Sequence, residues 1–392
     1  MCIRDSVVTA SHNPKEYNGY KAYWTDGSQV TAPHDRNIIA EVEKITSIDQ
    51  ILTGANPGNI TLLGEEFDEI YLNKVHTLSL SPESVGKFHD MKIAYTPLHG
   101  AGVRLVPASL RKWGFTNVSL VEEQAVIDGN FPTVESPNPE ERKTMAKAIE
   151  LGSRLGADLV LATDPDSDRI GVALRNAKGE YVLLNGNQTL SLIMAYQLTR
   201  WSELGRLDGK EFVVKTIVTS QMPNVMAAHF GVKCYDCLTG FKYIARIIRN
   251  NEGKATYIGG GEESFGYLAG DFVRDKDAVS ACSLVAEAAA WTRDTMGLTL
   301  YEWLQKLYVE FGFFREGLVS VVRKGMEGAA EIQRMMVDYR ADPPREIAGS
   351  PVVKINDFKL LESTDVRTGA KTPIEEEASN VCLLYTSPSP RD

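Results

Sequence analysis

The chain of 392 residues is 43% hydrophobic and 24% charged, with a formal net charge of -10 at pH 7. This balance is ordinary for a soluble globular protein, and the length predicts roughly two to four domains. An acidic chain without an apolar run of membrane-spanning length is a poor candidate for binding nucleic acid or a membrane. Five cysteines without a disulfide-like framework suit a reducing compartment, so we expect a cytoplasmic protein.

Both ends of the chain look foreign to the rest. The stretches MCIRDS (1–6) and CLLYTSPSPRD (382–392) resemble translated sequencing-adapter read-through. We therefore exclude them from the predicted fold and expect the native protein to be longer on both sides. The alternative for the C-terminal stretch is a disordered polar tail.

Apolar strand-like runs alternate with helical patterns through the middle of the chain. In chain order, we predict strands at 91–98, 157–163 and 170–174, and helices at 102–114, 139–156 and 187–201. Asn138 is the predicted N-cap of the second of these helices, with Pro139 at its first position. The uninterrupted apolar run at 157–163 is typical of a strand buried in a parallel sheet.

A polar stretch at 202–210 predicts a linker, after which the alternation restarts. We predict strands at 211–220, 232–238 and 254–260, and helices at 221–231, 239–253 and 278–296. Two successive α/β units are the simplest arrangement of these elements. Beyond residue 312, a predicted strand at 314–325 and a predicted helix at 331–340 indicate the start of an α+β domain.

Three aspartates alternate along a loop between two predicted apolar strands: Asp164, Asp166 and Asp168. Alternate carboxylates on an extended loop can converge on one hard divalent cation. A calcium-binding EF-hand needs glycine at its sixth position and glutamate at its twelfth, where this chain has Arg169 and Arg175. We therefore predict a metal site of another kind, and the alternative is a solvated acidic turn.

Ser11 lies in TASHNPKEYNGYK (9–21), between an apolar run and a His-Asn-Pro turn. Its hydroxyl is a candidate nucleophile or phosphate carrier. His12 could contact an attached phosphate, and Lys21 could supply positive charge or shuttle a proton. From this stretch alone, an ordinary serine turn is the alternative.

A glycine-flanked loop, GEESFG (261–266), follows the strand predicted at 254–260. Carboxylates and hydroxyls on such a loop can hydrogen-bond the vicinal hydroxyls of a sugar, because glycine lets the backbone approach closely. The alternative is a helix N-terminus with acidic capping.

Two other patterns predict no functional site. The CYDC stretch (234–237) has no second cysteine pair nearby and indicates strand packing. Four histidines lack metal-like spacing and are predicted to be structural: His34, His76, His89 and His229. The role of His99, on a strand-exit loop, is left open.

Together the three loops resemble those of the α-D-phosphohexomutase superfamily, which includes phosphoglucomutases and phosphomannomutases. TASHNP is similar to its phosphoserine loop, DPDSDR to its metal loop and GEESFG to its sugar-recognition loop, in the same order. The resemblance spans residues 7–381. The segments YNGYKAYWTDGSQ, CLTGFK and RDKDAVSA are most similar to the phosphoglucomutase-2 and phosphopentomutase branch.

The resemblance implies an α/β, multi-domain architecture of related three-layer units plus the start of an α+β C-terminal domain. It implies a partial domain 1 at 7–87, domain 2 at 88–205, domain 3 at 206–312 and a partial domain 4 at 313–381. No segment matches the R-x-S-G-T-E-P-like motif of the fourth domain. We therefore expect a truncated chain whose own mutase activity is leaky or absent.

The implied reaction moves a phosphoryl group between C1 and C6 of a hexose, interconverting glucose 1-phosphate and glucose 6-phosphate. It passes through a phosphoserine at Ser11 and a bisphosphorylated sugar. Ser11 and the three aspartates would bind Mg²⁺. Lys21 is the implied general acid/base, and His12 and Arg169 would lie beside the phosphoserine.

The implied substrate contacts come from neighbouring loops. Glu262 and Ser264 would bind sugar hydroxyls in both orientations of the intermediate, with Thr239 and Gly240 nearby. Two lysines would help to hold phosphates: Lys215 and Lys276. Glucose 1,6-bisphosphate would be the intermediate and activator, and the partner is a small-molecule sugar phosphate. The sequence indicates no oligomeric state.

Other functions stay open at this point. Phosphomannomutase or phosphopentomutase activity needs only modest changes in the sugar loops. A hydrolase would use the same serine and metal with water as the acceptor, although the sugar loop argues against it. A non-catalytic sugar-phosphate-binding protein is a different class, which the loss of Ser11 or of an aspartate in the triplet would have favoured.

Overall fold

The protein is described from a computed structural model. The structure describes residues 5–51, 54, 57–317, 321, 323, 325–347, 349–375 and 381–386. The chain divides into two compact units, Met1–Phe314 and Arg315–Asp392. In the described part of the chain, no helix combines the length and the apolar character that a membrane span needs. The predicted boundaries between domains 1, 2 and 3 lie inside the first unit and stay predictions.

A β-hairpin opens the first unit. Strand β1 (Asp5–Val8) pairs antiparallel with β2 (Tyr20–Tyr23). Residues 5 and 6 are therefore part of a strand, contrary to our exclusion of them from the fold. Three α-helices follow in the described residues: α1 (His34–Val42), α2 (Glu65–His76) and α3 (Pro82–Lys87).

A five-stranded sheet comes next. In chain order its elements are β3 (Ile93–Thr96), α4 (Gly102–Trp113), β4 (Val118–Leu120), α5 (Ala146–Leu155), β5 (Leu159–Thr163), β6 (Ile170–Arg175) and β7 (Tyr181–Leu183). The strand order is β4-β3-β5-β6-β7, with β3 parallel to both β4 and β5 and with β6 antiparallel to β5. Every residue of β3 and β5 is buried, which confirms the prediction from their apolar sequences.

The helix predicted at 139–156 is wrong in its first half, because α5 begins only at Ala146. Asn138 Oδ1 accepts from the Glu140 N–H at 3.0 Å, but residues 139–145 form turns. Pro139 packs beside Gly171, where a Cβ atom would lie 2.9 Å from the Pro139 Cβ. The Glu140 carboxylate pairs with Arg169 at 3.2 Å. These tertiary contacts outweigh the local helix-start signals.

A four-stranded sheet forms the rest of the first unit. Its elements are α6 (Gly186–Glu203), β8 (Glu211–Thr216), α7 (Met222–His229), β9 (Lys233–Cys237), α8 (Phe241–Asn251), β10 (Thr256–Glu262), β11 (Gly266–Ala269), α9 (Ala278–Met296) and α10 (Leu300–Phe311). The strand order is β11-β10-β8-β9, with β8 parallel to β9 and β10. The alanine-rich α9 packs against α3, α4, α6 and β11, so most of it is buried.

The second unit is a helix followed by an antiparallel sheet. Its elements are α11 (Gly325–Ala341), β12 (Glu346–Ile347), β13 (Ser350–Asp357), β14 (Glu362–Asp365), β15 (Lys371–Pro373) and β16 (Cys382–Thr386). The helix predicted at 331–340 lies within α11. Much of the strand predicted at 314–325 lies outside the described residues, and 314–317 form no strand. Strand β16 pairs with β13. Residues 382–386 are therefore also part of a sheet, contrary to our exclusion of them from the predicted fold.

Candidate active site

The loop between β1 and β2 carries Ser11. The Ser11 backbone has a φ of 52°, in the left-handed region that non-glycine residues seldom adopt. Its N–H donates to Thr9 Oγ1 at 2.8 Å, and the Thr9 N–H donates to the Gly19 carbonyl at 3.0 Å. A Cβ atom at Gly19 would lie 2.7 Å from the Thr9 carbonyl oxygen, so the closure of this loop requires glycine.

The Ser11 hydroxyl meets the acidic loop that joins β5 to β6. Ser11 Oγ donates to Asp164 Oδ2 at 2.8 Å, across 153 residues of sequence. Asp164 is fully buried, and its Oδ1 accepts from the N–H groups of Asp168 at 3.1 Å and Arg169 at 2.9 Å. Burial, and then repulsion from Asp168 and Asp166, raises the pKa of Asp164 well above its usual range.

The three aspartates fit a hard divalent cation. One ligand oxygen from each of Asp164, Asp166 and Asp168 lies within 4.8 Å of the others. Asp166 Oδ1 and Asp168 Oδ1 are buried and accept no hydrogen bond from the residues that the structure describes. Buried carboxylate oxygens without donors are costly unless a cation binds them. The donor set contains only oxygen, which is the ligand type that Mg²⁺ prefers.

Basic side chains surround the aspartates. Lys21 Nζ lies 3.3 Å from Asp166 Oδ2 and 3.4 Å from Asp168 Oδ2. Lys276 Nζ lies 3.1 Å from Asp168 Oδ2 and 2.9 Å from Asp275 Oδ1. Burial lowers the pKa of Lys276, but Asp275 and Asp168 raise it more, so the side chain is held as an ammonium. The site therefore combines acidic side chains that could hold a metal ion with fixed cations that could neutralise a phosphoryl group.

His12 and Arg169 complete this cluster. His12 Nδ1 lies 3.2 Å from Ser11 Oγ. Burial and the nearby charge of Arg169 lower the pKa of His12 to about 4, so its ring is neutral at physiological pH. Arg169 Nε lies 3.8 Å from Asp168 Oδ1, while its Nη1 is held by Glu140.

The loop GEESFG is a hairpin turn between β10 and β11, so the alternative of a helix N-terminus is wrong. Glu262, the last residue of β10, is buried and accepts from the Gly240 N–H at 2.8 Å. Gly240 and Thr239 follow β9, so the loops after β9 and β10 meet beside each other. Ser264 is half-buried in the turn. Burial raises the pKa of Glu262.

Lys215 is not joined to this cluster in the described structure. Its fully buried Nζ lies 2.8 Å from Asp236 Oδ1 and donates to the carbonyls of Thr216 at 3.3 Å and Thr219 at 3.4 Å. These contacts link β8 to β9. The described contacts of Lys215 therefore do not support its predicted role in holding a phosphate.

Sequence reasoning missed several residues that hold the site together. Thr9 Oγ1 accepts from Ser11 and donates to Asp166 Oδ2 at 3.4 Å. Asp275 binds both Lys276 and the Tyr23 hydroxyl, the latter at 2.7 Å. Thr9 lies inside the quoted motif and could have been suspected. The pairing of Tyr23 with Asp275 has no local signal, because 252 residues separate them.

His99, whose role the sequence leaves open, is buried and hydrogen-bonded within the protein. His99 is 2% exposed, with Nδ1 2.9 Å from the Val126 carbonyl and Nε2 2.8 Å from Thr133 Oγ1. Cys237 is buried in β9, and Cys234 is half-buried. Among the described residues, the aspartate triplet is the one group placed to hold a metal ion.

Comparisons with known proteins identify the family of this chain. Models of the phosphoglucomutase/phosphomannomutase alpha/beta/alpha domains I, II and III match residues 3–49, 69–179 and 185–311. A phosphoglucomutase from Staphylococcus aureus is 34% identical over 379 residues, which cover 96% of this chain and 67% of the relative. The chain thus spans about two thirds of the length of that relative.

Solved structures share the fold. A phosphoglucomutase/phosphomannomutase family protein from Burkholderia thailandensis has a TM-score of 0.59 at 19% identity, over 88% of this chain and 66% of that chain. The open form of the phosphoglucomutase parafusin from Paramecium has a TM-score of 0.60 at 17% identity, over 95% and 67%. The chain therefore belongs to the phosphoglucomutase/phosphomannomutase family of the α-D-phosphohexomutase superfamily and is a phosphosugar mutase, an isomerase.

Proposed function

We propose that this chain moves a phosphoryl group between C1 and C6 of glucose, interconverting glucose 1-phosphate and glucose 6-phosphate. One observation carries the proposal: the Ser11 hydroxyl lies 2.8 Å from a buried aspartate of a metal-like triplet, with Lys21 and Lys276 beside the other two. The 34% identity to a phosphoglucomutase supports glucose as the sugar.

Mg²⁺ is the proposed metal, with one ligand from each of Asp164, Asp166 and Asp168 and one from the Ser11 side chain or its phosphate. When bound, the ion would neutralise charge on the transferring phosphoryl group. The unpaired carboxylate oxygens of Asp166 and Asp168 support this assignment.

In the proposed cycle, a sugar hydroxyl attacks the phosphorus of phosphorylated Ser11. The new sugar–phosphate bond forms as the bond to Ser11 Oγ breaks, and the hydroxyl proton passes to Lys21. The bisphosphorylated sugar then turns over, and Ser11 Oγ attacks the phosphorus of its other phosphoryl group. The bond to Ser11 Oγ forms as the bond to the sugar oxygen breaks, and Lys21 returns the proton to that oxygen. Burial lowers the pKa of Lys21, but Asp168 and Asp166 raise it overall, so neutralisation of these carboxylates would favour the basic form.

The remaining residues bind and orient the substrate in this proposal. Neutral His12 donates a hydrogen bond to the phosphoserine, and Arg169 adds positive charge. Glu262 and Ser264 bind sugar hydroxyls, with Thr239 and Gly240 alongside. Lys276 holds a phosphate. Glucose 1,6-bisphosphate is the proposed activator, and free sugar phosphates of the cytoplasm are the proposed partners.

The test is phosphopeptide mapping after incubation of the full chain with Mg²⁺ and glucose 1,6-bisphosphate, with Ser11→Ala as the control. We expect one phosphoserine, at Ser11, and faster conversion of glucose 1-phosphate than of mannose 1-phosphate or ribose 1-phosphate. Free phosphate without sugar isomerisation would indicate a hydrolase. No labelling of Ser11, with sugar phosphate bound, would indicate a non-catalytic binding protein.

A further inference from the structure

The second glutamate of the sugar loop, Glu263, contacts a different part of the fold from the first. Glu263 Oε2 accepts from Thr216 Oγ1 and from Thr219 Oγ1, each at 2.9 Å. The two threonine hydroxyls are also 2.8 Å apart. Both threonines are buried, at 0% and 3% exposure, and Glu263 is half-buried, so the threonine side of these hydrogen bonds is shielded from water. Hydrogen bonds are strengthened where the surroundings exclude water.

The sheet topology explains why these side chains meet. Strands β8 and β10 are parallel, with Lys215 opposite Gly261. Their carboxyl ends therefore lie at the same edge of the sheet, and the loops that follow them begin side by side. Thr216 ends β8, and Glu263 is the first residue after β10.

The main chain of the sugar loop is held from another direction as well. A Cβ atom at Gly186, the first residue of α6, would overlap with the Glu263 carbonyl group. The neighbouring Glu262 binds the Gly240 N–H after β9. Adjacent glutamates thus tie the turn to the loops after β8 and β9, while Gly186 leaves room for its backbone.

We propose that Glu263 is a positioning residue for the mutase reaction: its bonds to Thr216 and Thr219 hold the sugar loop so that Glu262 and Ser264 face the substrate. This inference rests on the proposed function for its catalytic consequence, although not for the anchoring itself. If Glu263 bound the substrate directly, only substitutions at Glu263 itself would alter catalysis. If Glu263 positions the sugar loop, the loss of its threonine partners alters catalysis as well.

The test compares Thr216→Val, which keeps the shape and removes the hydroxyl, with Thr216→Ser, which keeps the hydroxyl. Hydrogen exchange by mass spectrometry reports on the amides of 258–268 in the full chain. We expect faster exchange there in Thr216→Val and Glu263→Ala, with wild-type exchange in Thr216→Ser. The matched control is Thr292→Val, a buried threonine whose hydroxyl has no hydrogen-bond partner among the described residues.

Kinetics supply the second readout. We expect Thr216→Val to raise the KM for the sugar phosphate by about tenfold, with a smaller change in kcat, because one hydrogen bond to a charged group is lost. Thr216→Ser should restore the wild-type KM. Unchanged exchange at 258–268 in both Thr216→Val and Glu263→Ala would overturn the anchoring role. Faster exchange in a chain whose Ser11 is not phosphorylated by glucose 1,6-bisphosphate would instead overturn the proposed function and leave the anchor in place.

Discussion

The Ile170 N–H donates a hydrogen bond of 2.9 Å to the Phe265 carbonyl, and this bond joins the aspartate loop directly to the sugar loop. An isolated β-bridge between Arg169 and Gly266 continues the contact. The two loops follow strands of different sheets, yet they form one connected surface. A shift of either loop therefore moves groups proposed to bind the metal and the sugar together.

This connection predicts that Gly266→Ala lowers kcat substantially. A Cβ atom at Gly266 would lie 2.7 Å from the Lys276 Cγ, so the lysine side chain would have to move away from Asp168. We expect kcat to fall by about 10- to 100-fold, since small displacements of charged groups are costly in catalysis. Steady-state kinetics would measure this, and the melting temperature would control for misfolding. Wild-type kcat would show that the position of Lys276 is unimportant.

Asp164→Asn should weaken metal binding while it raises the stability of the metal-free protein. The substitution removes the carboxyl group whose pKa is raised by burial and by Asp168 and Asp166, but keeps an acceptor for the Asp168 and Arg169 N–H groups. In EDTA, we expect the free energy of unfolding to rise by about 1 kcal/mol. Calorimetry should at the same time show weakened Mg²⁺ binding. A destabilised variant in EDTA would mean that the charge of Asp164 is compensated within the protein itself.

The lowered pKa of His12 predicts that the stability of the protein depends on pH. Its pKa is lowered from 6.5 to about 4 in the folded state, so the unfolded chain binds more protons between these values. Stability is therefore lost as the pH falls from about 6.5 toward about 4, by about 1 kcal/mol after allowance for partial solvent exposure. Urea unfolding of His12→Gln should lack this component, with equal stabilities of both proteins at pH 8. Parallel pH profiles would contradict it.

The Thr9 hydroxyl should matter for phosphorylation of Ser11. It accepts from the Ser11 N–H and donates to Asp166, and it therefore supports the left-handed backbone at Ser11. We expect Thr9→Val to slow Ser11 phosphorylation by about tenfold, because the Ser11 N–H loses its acceptor. Thr9→Ser serves as the matched control and should phosphorylate at close to the wild-type rate. Equal rates in both variants would exclude this positioning role.

Local sequence was sufficient for the elements with continuous signals. Apolar runs predicted β5 and β8, and the alternation of strands and helices predicted the α/β units. The TASHNP, DPDSDR and GEESFG loops could be identified from sequence because the residues that define each loop lie close together within that loop. The helix prediction failed at 139–145. There Glu140 pairs with Arg169 and does not lie in the first turn of a helix.

The sequence by itself therefore determined the central strands of the two α/β sheets, most of the described helices and the identity of three candidate loops, since these depend on periodicity and short-range chemistry. Only the tertiary structure decided which groups meet. Ser11 reaches Asp164 across 153 residues, Tyr23 reaches Asp275 across 252, and Glu263 reaches Thr216 across 47. Parallel strands bring their carboxyl ends to one edge regardless of their separation in the chain, and no local pattern records which loops become neighbours there.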